Sequence, residues 1–396
     1  MESLLQISVG KIIQVQIERL VVGGNGLARV DGAVVFVPKS VPEDQLKVKI
    51  VEAKKNFYTA EIVEIVSPSP FRREAPCIYF SRCGGCSWQH IQEEHQLRFK
   101  HHLVSETLKK FMPDVDFPEF KVIASPKNLR YRNRIQPNFK DGKLGFFAAN
   151  SHNIVEIDDC LITEEKLMAI WPKFKKEVLQ KSSQFGDESR FELYLDENEV
   201  PHWYEMNQEK ASIGFSQVNR FQNQNLIESV VNWATDSIEV PERVFDFYAG
   251  AGNFSFPLSS AFKKSQIIAV ELHQGLARAA RKKAENLKIS PKQFEIYASD
   301  VHRFVKNFKL EPNDLILLDP PRAGTDAFVM KTLAVAKVKC FLYISCHPVT
   351  FARDLAVYFA EVKKLGSTAK ITRLTAFDMF PQTDHVELLA EVRIDS

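Results

Sequence analysis

The stretch VFDFYAGAGNFSFPLSS, residues 244–260, predicts a buried strand, a glycine turn and the first turns of a helix. Further apolar runs follow it, QIIAVEL, FEIYASD, DLILLDPP and CFLYISC, with stretches of helical spacing such as QGLARAARKKAENL between several of them. Buried parallel strands joined by helical crossovers build doubly wound sheets. We therefore predict a doubly wound, Rossmann-like α/β domain from about residue 215 onward.

The glycine turn predicts a site for a nucleoside-containing cofactor. Gly250 and Gly252 allow the backbone to turn tightly and to approach a ligand, and Asn253 follows them. Glu271 ends the next predicted strand, where a carboxylate accepts hydrogen bonds from both hydroxyls of a ribose. Ser255 stands where a dinucleotide-binding turn has its third glycine, which favours S-adenosylmethionine, because that cofactor has no pyrophosphate. A tight turn without a ligand is the alternative.

Two later strand ends carry reactive side chains, at the edge where open α/β sheets bind ligands. Asp319, in LLDPPRAG, predicts an acceptor for a base or an amine, although a simple strand-ending turn fits equally well. Cys346, in YISCHPVT, follows the next strand, where a thiolate is a nucleophile for an electron-poor carbon. Cys340 begins that strand, so we expect it at the opposite end, buried and unreactive.

Near the end of the sequence, DHVELLAEV places Glu387 at the start of an apolar strand. A glutamate that points inward there is a candidate general base, because burial raises the pKa of a carboxyl. The spacing alone favours the simpler interpretation, an exposed charge at the edge of a sheet.

The first 67 residues predict a small β-barrel of the OB kind. Alternating apolar runs give five short strands, and Asp31-Gly32 is a hairpin turn. We place this barrel at residues 1–67, a central α+β domain at 68–212 and the doubly wound domain at 213–396. Within the central domain, TEEKLMAIWPKFKKEVLQK predicts one helix that begins after Thr163.

Four cysteines of the central domain have the character of metal ligands. Cys77, Cys83 and Cys86 are close in sequence, with Gly84-Gly85 between the last two, and Cys160 comes much later. Four thiolates suit a tetrahedral zinc ion or an iron–sulfur cluster, and the spacing does not decide between them. Free buried thiols are the remaining alternative.

A basic block in the same domain predicts contact with nucleic acid. Arg130, Arg132 and Arg134 lie among lysines and phenylalanines, which are suited to neutralising phosphates and stacking on bases. A charged strand edge that discourages aggregation is the alternative. Residues 68–148 carry an excess of basic side chains and residues 149–214 an excess of acidic ones, which suggests a directed electrostatic surface.

The whole chain has an ordinary globular composition: 396 residues, 45% hydrophobic and 26% charged, with a formal net charge of +2. This excludes a disordered or fibrous protein, and the length predicts two to four domains. We expect no membrane segment, because there is no long apolar run, and no secretory signal at the start. The expected location is therefore the cytoplasm, where thiols stay reduced.

In their order along the chain, these motifs resemble those of the RNA uracil-5-methyltransferase family, and most closely its RlmD branch. GNGLARVDGAVVFVP resembles a TRAM domain, and CIYFSRCGGCSWQH with Cys160 resembles the family's iron–sulfur region. IGFSQVN, DFYAGAGNFSFPL, LLDPPRAG, YISCHPVTFARDL and DMFPQTDHVE resemble the methyltransferase domain.

The resemblance implies roles for individual residues. Cys346 aligns with the family's nucleophile and Glu387 with its base. The positions implied around S-adenosylmethionine are Gln217, Tyr248, Gly250, Asn253, Glu271, Asp300 and Asp319. Cys77, Cys83, Cys86 and Cys160 align with the ligands of a [4Fe–4S] cluster, for which the resemblance implies a structural or RNA-contacting role rather than the methyl transfer. The sequence departs from the family at Ala249, His347 and Asp300, where cysteine, asparagine and asparagine are usual.

The expected activity is thus formation of 5-methyluridine in RNA by a monomer, with 23S ribosomal RNA favoured over transfer RNA. Three alternatives belong to other classes. A radical enzyme that uses both a cluster and S-adenosylmethionine is disfavoured, because the cysteines lie outside the sheet domain and four ligands would leave no open iron. Asp319-Pro320-Pro321-Arg322 also resembles the motif of amino-methyltransferases, which need no thiol. An RNA-binding assembly factor that retains the cofactor fold would bind RNA without methyl transfer.

Overall fold

The computed structural model describes residues 7–181, 184–185, 188–206, 217–238 and 240–395. These residues form two compact units. The first takes in the described residues up to Leu103, Lys127–Glu205 and Phe380–Asp384. The second takes in Val104–Pro126, the described residues from 206 to Met379, and those from His385 onward. The proposed division into domains at residues 67 and 212 stays a prediction.

An N-terminal sheet of six strands is built from short, alternating sequences. Its strands are β1 (Ile12–Gln16), β2 (Arg19–Leu20), β3 (Gly26–Val30), β4 (Ala33–Val37), β5 (Gln45–Ala53) and β6 (Phe57–Ser67), in the order β1-β5-β6-β4-β3-β2. Alternate side chains, such as Ile13 and Val15, are buried in its core. The sequence predicted five strands, because KIIQVQIERL reads as one strand, whereas the structure divides it into β1 and β2.

The hairpin between β3 and β4 turns at Asp31-Gly32, as predicted. Val30 pairs with Ala33, and the two central residues have φ angles of 49° and 82°. Both angles lie in the left-handed region that a two-residue hairpin turn requires, which Asp-Gly adopts readily.

The first unit also contains a second sheet, and two helices lie between its fourth and fifth strands in the sequence. Its strands are β8 (Arg134–Ile135), β9 (Asn138–Lys140), β10 (Lys143–Phe147), β11 (Ile154–Glu156), β12 (Glu188–Leu195) and β13 (Pro201–Glu205). The prediction of one helix after Thr163 was wrong. Two helices occupy the stretch, α2 (Glu165–Ala169) and α3 (Trp171–Gln180), and Pro172 lies in the first turn of the second helix. Proline suits that first turn but cannot continue a helix from before it.

The second unit contains an eight-stranded sheet with the predicted strand–helix alternation. Its strands are β7 (Val122–Ile123), β14 (Arg243–Phe247), β15 (Gln266–Glu271), β16 (Phe294–Ala298), β17 (Leu315–Leu318), β18 (Cys340–Ser345), β19 (Thr368–Phe377) and β20 (Glu387–Asp395). The order is β16-β15-β14-β17-β18-β20-β19-β7, and β14 to β18 run parallel. β20 lies antiparallel to both of its neighbours. This is the doubly wound α/β sheet that the sequence predicted.

The remaining helices lie outside the stretch of sequence between β11 and β12. They are α1 (Glu93–Phe111), α4 (Arg220–Ser237), α5 (Ser255–Ala261), α6 (Gln274–Asn286), α7 (Val301–Asn307), α8 (Ala327–Val335) and α9 (Pro348–Lys364). Among the helices in the described part of the chain, none combines the length and the apolar character needed to cross a membrane.

The core of the second unit lies on the parallel strands. Phe245, Phe247, Ile316, Leu318 and Phe341 are each fully buried. Near-continuous apolar strands are expected where helices cover both faces of a sheet. The polar residues that follow these strands therefore lie at the carboxyl ends of the strands, outside the core.

A buried ion pair closes the N-terminal sheet of the first unit. Asp44 is fully buried, and its carboxylate accepts hydrogen bonds from Arg72 Nε and Nη2, both at 2.7 Å. The same carboxylate accepts from the backbone N–H groups of Val41 (2.6 Å) and Ser69 (2.9 Å). One side chain thus joins the start of β5 to the segment that leaves β6.

We expect Asp44→Ala to lower the free energy of unfolding of this unit by roughly 3–5 kcal/mol, because the Arg72 guanidinium loses its buried partner. Urea denaturation of the full chain, followed by hydrogen exchange in β1–β6, measures the loss. Lys47→Ala is the control, because the Lys47–Glu64 pair is exposed and worth about 1 kcal/mol or less. Equal losses in the two variants would contradict this account of the fold.

Candidate active site

Strand pairing brings Cys346 and Glu387 opposite each other. β18 and β20 are antiparallel, and Ser345 pairs with Leu388. Cys346 is the next residue after Ser345, and Glu387 is the residue before Leu388, so the two come next to each other at the same end of the strand pair. Opposite residues of an antiparallel pair project to the same side of a sheet. The nucleophile and the base that the resemblance implied are therefore neighbours, although 40 residues separate them in the sequence.

Glu387 is buried, with only 2% of its surface exposed. The interpretation as an exposed edge charge, which the spacing favoured, is therefore wrong. Burial and the nearby Asp319 carboxylate raise the pKa of Glu387 well above its usual range, and Arg322 opposes them. A carboxyl with a raised pKa binds a proton readily, and a general base needs this property in order to take a proton from its substrate.

The thiol of Cys346 is half-buried and lies in an acidic environment. Burial and the Glu387 carboxylate raise its pKa to about 12, while Arg322 acts in the opposite direction. The resting thiol is therefore protonated at neutral pH. Cys340, by contrast, lies at the other end of β18, paired with Arg393 and 1% exposed, as the sequence predicted.

Two more carboxyls continue this acidic cluster towards β14. Asp319 follows β17, and burial together with the Asp246 carboxylate raises its pKa to about 7. Asp246, in β14, is fully buried, and its own pKa is likewise raised to about 7, chiefly by burial. Ser255 donates a hydrogen bond to Asp246 Oδ2 at 2.5 Å, whereas Oδ1 is buried without a hydrogen-bond partner.

Arg322 is the functional residue to which the sequence reasoning gave no role. Its positive charge lowers the pKa of both Cys346 and Glu387. Arg322 Nη2 also lies 3.5 Å from His385 Nε2. The motif Asp-Pro-Pro-Arg was the available signal, because it places an arginine three residues after a strand-end aspartate.

The loop that carries Arg322 is fixed by a buried aspartate of α9. Asp354 Oδ2 accepts hydrogen bonds from the Thr325 backbone N–H (2.8 Å) and from the Tyr343 hydroxyl (2.6 Å). A Cβ atom at Gly324, where φ is +80°, would lie 2.3 Å from the same oxygen. Thr325 Oγ1 in turn lies 2.7 Å from the hydroxyl of Tyr248. The loop after β17 is therefore tied both to α9 and to the glycine turn.

The glycine turn has one open side and one packed side. Both glycines have positive φ angles, +57° at Gly250 and +89° at Gly252. A Cβ atom at Gly252 would lie 2.4 Å from the Phe256 ring, so packing requires glycine there. A Cβ atom at Gly250 would meet nothing within 4 Å. The space beside Gly250 is where a ligand can approach the backbone.

Glu271 ends β15 beside this turn, as predicted. Its carboxylate accepts hydrogen bonds from the backbone N–H groups of Gly250 (2.9 Å) and His273 (2.7 Å). A carboxylate has about four acceptor positions, so these bonds orient Glu271 and leave capacity for two hydroxyls. Asn253 is engaged differently, because its side-chain amide pairs with that of Asn223 through bonds of 2.9 and 3.1 Å.

Two further residues implied by the resemblance have clear positions. Asp300 is exposed and caps α7, accepting a hydrogen bond from the Arg303 backbone N–H at 3.1 Å. Gln217 is nearly buried, just before α4, whereas residues 213–216 of the IGFSQVN motif lie outside the described residues. The roles of all the residues implied around the cofactor stay predictions.

His347, one of the departures from the family, caps α9. Its Nδ1 atom accepts a hydrogen bond from the Thr350 backbone N–H at 3.4 Å. Asparagine is a preferred helix cap through its side-chain oxygen, so histidine here supplies the same kind of acceptor. Ala249 is 5% exposed and packs within the turn.

The four cysteines of the first unit are electrostatic neighbours. Cys77, Cys83 and Cys86 each have a pKa that is raised mainly by burial and further by the charge of Cys160. Cys83 Sγ accepts a hydrogen bond from the Gly85 backbone N–H at 3.4 Å. Within the described residues, no group of three or more potential ligands has the geometry of a formed metal site. The six cysteines all lie within the described residues, and none of them forms a disulfide there.

Two of the three arginines of the basic block form ion pairs within the protein. Arg130 forms an ion pair with Asp159 at 2.6 Å, and Arg134 forms one with the buried Glu192 at 2.9 Å. The charge of Arg132 acts on Cys86, and its Nε atom is buried without a hydrogen-bond partner. An RNA-binding role for these residues stays a prediction.

Comparison with known proteins assigns the chain to a family. The model of the tRNA (uracil-5-)-methyltransferase family matches residues 188–391, and that of the TRAM domain matches residues 6–63. An uncharacterized RNA methyltransferase of Bdellovibrio bacteriovorus is 48% identical over 388 residues, which cover 98% of this chain and 96% of that protein. The chain belongs to the RNA uracil-5-methyltransferase family.

Other members of this uracil-5-methyltransferase family match along their whole length. The 23S rRNA (uracil(1939)-C(5))-methyltransferase RlmD of Pseudomonas putida is 28% identical, over 97% of this chain and 94% of that protein. The solved tRNA (uracil-54, C5)-methyltransferase of Pyrococcus abyssi, in complex with S-adenosyl-L-homocysteine, has a TM-score of 0.71 at 23% identity, over 96% of this chain and 99% of that one. The resemblance read from the motifs is confirmed, and so is the fold.

The raised pKa of Asp246 generates a prediction about stability. A carboxyl whose pKa is higher in the folded protein than in the unfolded chain binds protons more tightly when folded. Its contribution to stability is therefore complete below about pH 4 and is lost as the pH rises through about 7.

Asp246→Asn removes this titration and keeps an acceptor for Ser255. We expect its advantage over wild type in unfolding free energy to be roughly 2–3 kcal/mol larger at pH 8 than at pH 5, since one pKa unit is worth about 1.4 kcal/mol. Urea denaturation at the two pH values measures the difference. Asp236→Asn, at an exposed position of α4, serves as the control. A pH-independent effect of Asp246→Asn would show that the buried carboxyl does not titrate in this range.

Proposed function

We propose that this protein uses S-adenosylmethionine to methylate C5 of uridine in RNA, with Cys346 as nucleophile and Glu387 as base. The observation that carries the proposal is the pairing of β18 with β20, which sets a thiol opposite a buried carboxyl, and the charge of Arg322 acts on both. A thiol and a base side by side are what methylation at C5 of uracil needs, because C5 by itself is a poor nucleophile.

Each residue has one step in the proposed reaction. The sulfur of Cys346 bonds to C6 of uracil, which breaks the ring's conjugation and makes C5 nucleophilic. S-adenosylmethionine, when bound, would supply a methyl group on a positively charged sulfur, which becomes a neutral thioether when the methyl–sulfur bond breaks. After C5 has gained that methyl group, the Glu387 carboxylate removes the C5 proton. The C6–sulfur bond then breaks, and 5-methyluridine and the Cys346 thiolate are released.

The charged groups around Cys346 determine when its thiol can attack the uracil ring. The Cys346 thiol is protonated at rest because of burial and Glu387, so its proton must pass to water as the C–S bond forms. The released thiolate takes a proton back from water, and the Glu387 carboxylate stays available for the C5 proton. Arg322 is the nearby cation that favours the thiolate and the developing negative charge on the uracil ring. Attack is thus favoured when a substrate base displaces water and lies against Arg322.

The glycine turn fits the cofactor. The space beside Gly250 is open, Asp246 Oδ1 is a buried acceptor without a partner, and Glu271 keeps acceptor capacity for ribose hydroxyls. Gln217, Tyr248, Asn253, Asp300 and Asp319 would complete the binding surface. We further propose that Asp319 accepts a hydrogen bond from the uracil edge.

The four cysteines of the first unit are the proposed ligands of a [4Fe–4S] cluster, with zinc as the alternative, because four thiolates are a donor set that suits either. The thiols are mutual neighbours that repel one another when ionised, and a backbone N–H already donates to Cys83 Sγ. A metal centre would remove this repulsion. Such a centre would support the first unit's structure or its contact with RNA rather than the methyl transfer.

The proposed substrate is 23S ribosomal RNA. This rests on full-length relatives named as RlmD enzymes and on the TRAM domain, since OB-like barrels bind single-stranded RNA. The target base must leave any stack to reach a thiol at a strand end. Transfer RNA is the second candidate, because the Pyrococcus enzyme of the same fold is named for it. We further propose a monomer that acts in the reducing cytoplasm.

Cys346→Ala is expected to abolish methyl transfer, by at least about a thousandfold, while S-adenosylmethionine still binds. Glu387→Gln should accumulate a covalent protein–RNA adduct that survives a denaturing gel, because the C5 proton cannot leave. Cys340→Ala is the matched control: it removes the thiol at the other end of β18 and should keep its activity. Full turnover by Cys346→Ala, or normal turnover without adduct by Glu387→Gln, would overturn the assigned roles.

Incubation with methyl-labelled S-adenosylmethionine and unmodified 23S rRNA or tRNA transcripts tests the reaction and the substrate. We expect labelled 5-methyluridine in 23S rRNA after nuclease digestion. Label in tRNA alone would show that transfer RNA, and not 23S ribosomal RNA, is the substrate. Label on an amino group would move the chemistry to Asp319, and RNA binding without any label would favour the assembly factor.

A further inference from the structure

The segment that carries the basic block runs beside the segment that follows Cys160. The backbone N–H groups of Arg130, Tyr131 and Arg132 donate to Leu161 O and Ile162 O at 2.8–3.0 Å. The Glu164 N–H donates back to Arg132 O at 2.9 Å. The loop that presents Cys160 is therefore held by residues 130–132, which lie 30 positions earlier in the chain.

The Arg130 side chain closes over the Cys160 loop. Its Nη1 and Nη2 atoms donate to both carboxylate oxygens of Asp159, at 2.8 and 2.6 Å. Nη1 also donates to the backbone carbonyls of Cys160 (3.0 Å) and Thr163 (3.3 Å). One guanidinium thus fixes the residue before Cys160, Cys160 itself and the turn after it. A planar, bidentate fork of this kind fixes orientation as well as distance.

The backbone at Arg130 supports a specific role for this side chain. Its φ angle is +53°, a left-handed conformation that favours glycine over a long side chain. The contacts of the guanidinium offset this strain. The substitution Arg130→Gly therefore relieves the backbone strain and removes the hydrogen bonds of the guanidinium at the same time.

The contacts also weigh against phosphate as the partner of Arg130. Both oxygens of Asp159 are already engaged, and the Arg130 side chain is 28% exposed. A phosphate would have to compete with a carboxylate that is already in bidentate geometry. Lys143, in the same basic block, is exposed and is better suited to an electrostatic contact with RNA.

We propose that Arg130 is a positioning residue, paired with Asp159, that holds the Cys160 thiol beside Cys77, Cys83 and Cys86 so that the metal centre is retained. The inference rests on the proposed metal centre at these four thiols. Under this proposal, Arg130 of the basic block supports the metal site and does not contact RNA. Partners of this kind around metal ligands change metal affinity by about 10–100-fold.

The test compares Arg130→Gly and Asp159→Asn with wild type and with Lys143→Gln, all as full chains purified anaerobically. Iron, zinc and acid-labile sulfide per chain are measured first. The rate at which the visible absorbance of the cluster is lost in a chelator, or metal is released where zinc is bound, is measured next. Thermal unfolding and RNA affinity at two salt concentrations complete the set.

We expect Arg130→Gly and Asp159→Asn to release the metal about tenfold faster than wild type, and the double variant to be no faster than either. Arg130→Gly should keep or raise the melting temperature of the metal-free chain, because glycine suits the backbone. Lys143→Gln should release metal as wild type does and should lower RNA affinity with a smaller salt dependence.

The outcomes separate this inference from the proposal beneath it. A wild-type chain without metal and sulfide would overturn the metal centre and the positioning role together. A wild-type chain with a centre that both variants retain equally well would overturn the positioning role alone. Loss of RNA affinity in Arg130→Gly, with unchanged affinity in Asp159→Asn and unchanged metal release in both, would assign Arg130 to RNA instead.

Discussion

The antiparallel pairing of β20 with β18 is the constraint on which the proposed chemistry depends. A sheet built only of parallel strands would offer the Cys346 thiol at a strand end with no chain returning past it. Because β20 enters antiparallel, its first residue, Glu387, lies opposite the residue that follows β18. The register also sets the side: a shift by one residue would turn the carboxyl to the other face of the sheet.

Burial then gives these groups their character. Glu387, Asp319 and Asp246 follow one another through the site, and each raises the proton affinity of a neighbour or is raised by one. Arg322 is the cation whose effect reaches both Cys346 and Glu387. Such a site holds protons and a neutral thiol when empty. Burying these ionisable groups lowers the free energy of unfolding. Such a local loss of stability, with shifted pKa values, is expected at catalytic sites.

Local signals in the sequence were sufficient for much of the fold. The turn at Asp31-Gly32, the glycine turn after β14 and the apolar strands of the second unit all follow from short-range patterns. The helix predicted after Thr163 failed because its periodicity continues across Ile170, whereas Pro172 requires a new start. Glu387 was misjudged from spacing for a different reason: its burial depends on β18, far away in sequence, and periodicity carries no information about such pairing.

The arginines of the basic block show why counting charges along a chain misses their partners. The basic residues of 127–143 and the acidic residues of 156–205 read as two opposed blocks, yet the fold joins them pairwise, Arg130 to Asp159, Arg134 to Glu192 and Lys140 to Glu188. Arg134 and Glu192 are nearly buried, so neither is free to meet a ligand without leaving the other charge unpaired. These three pairs join the opposed blocks within the first unit, and exposed cations such as Lys143 are the better candidates for contact with RNA.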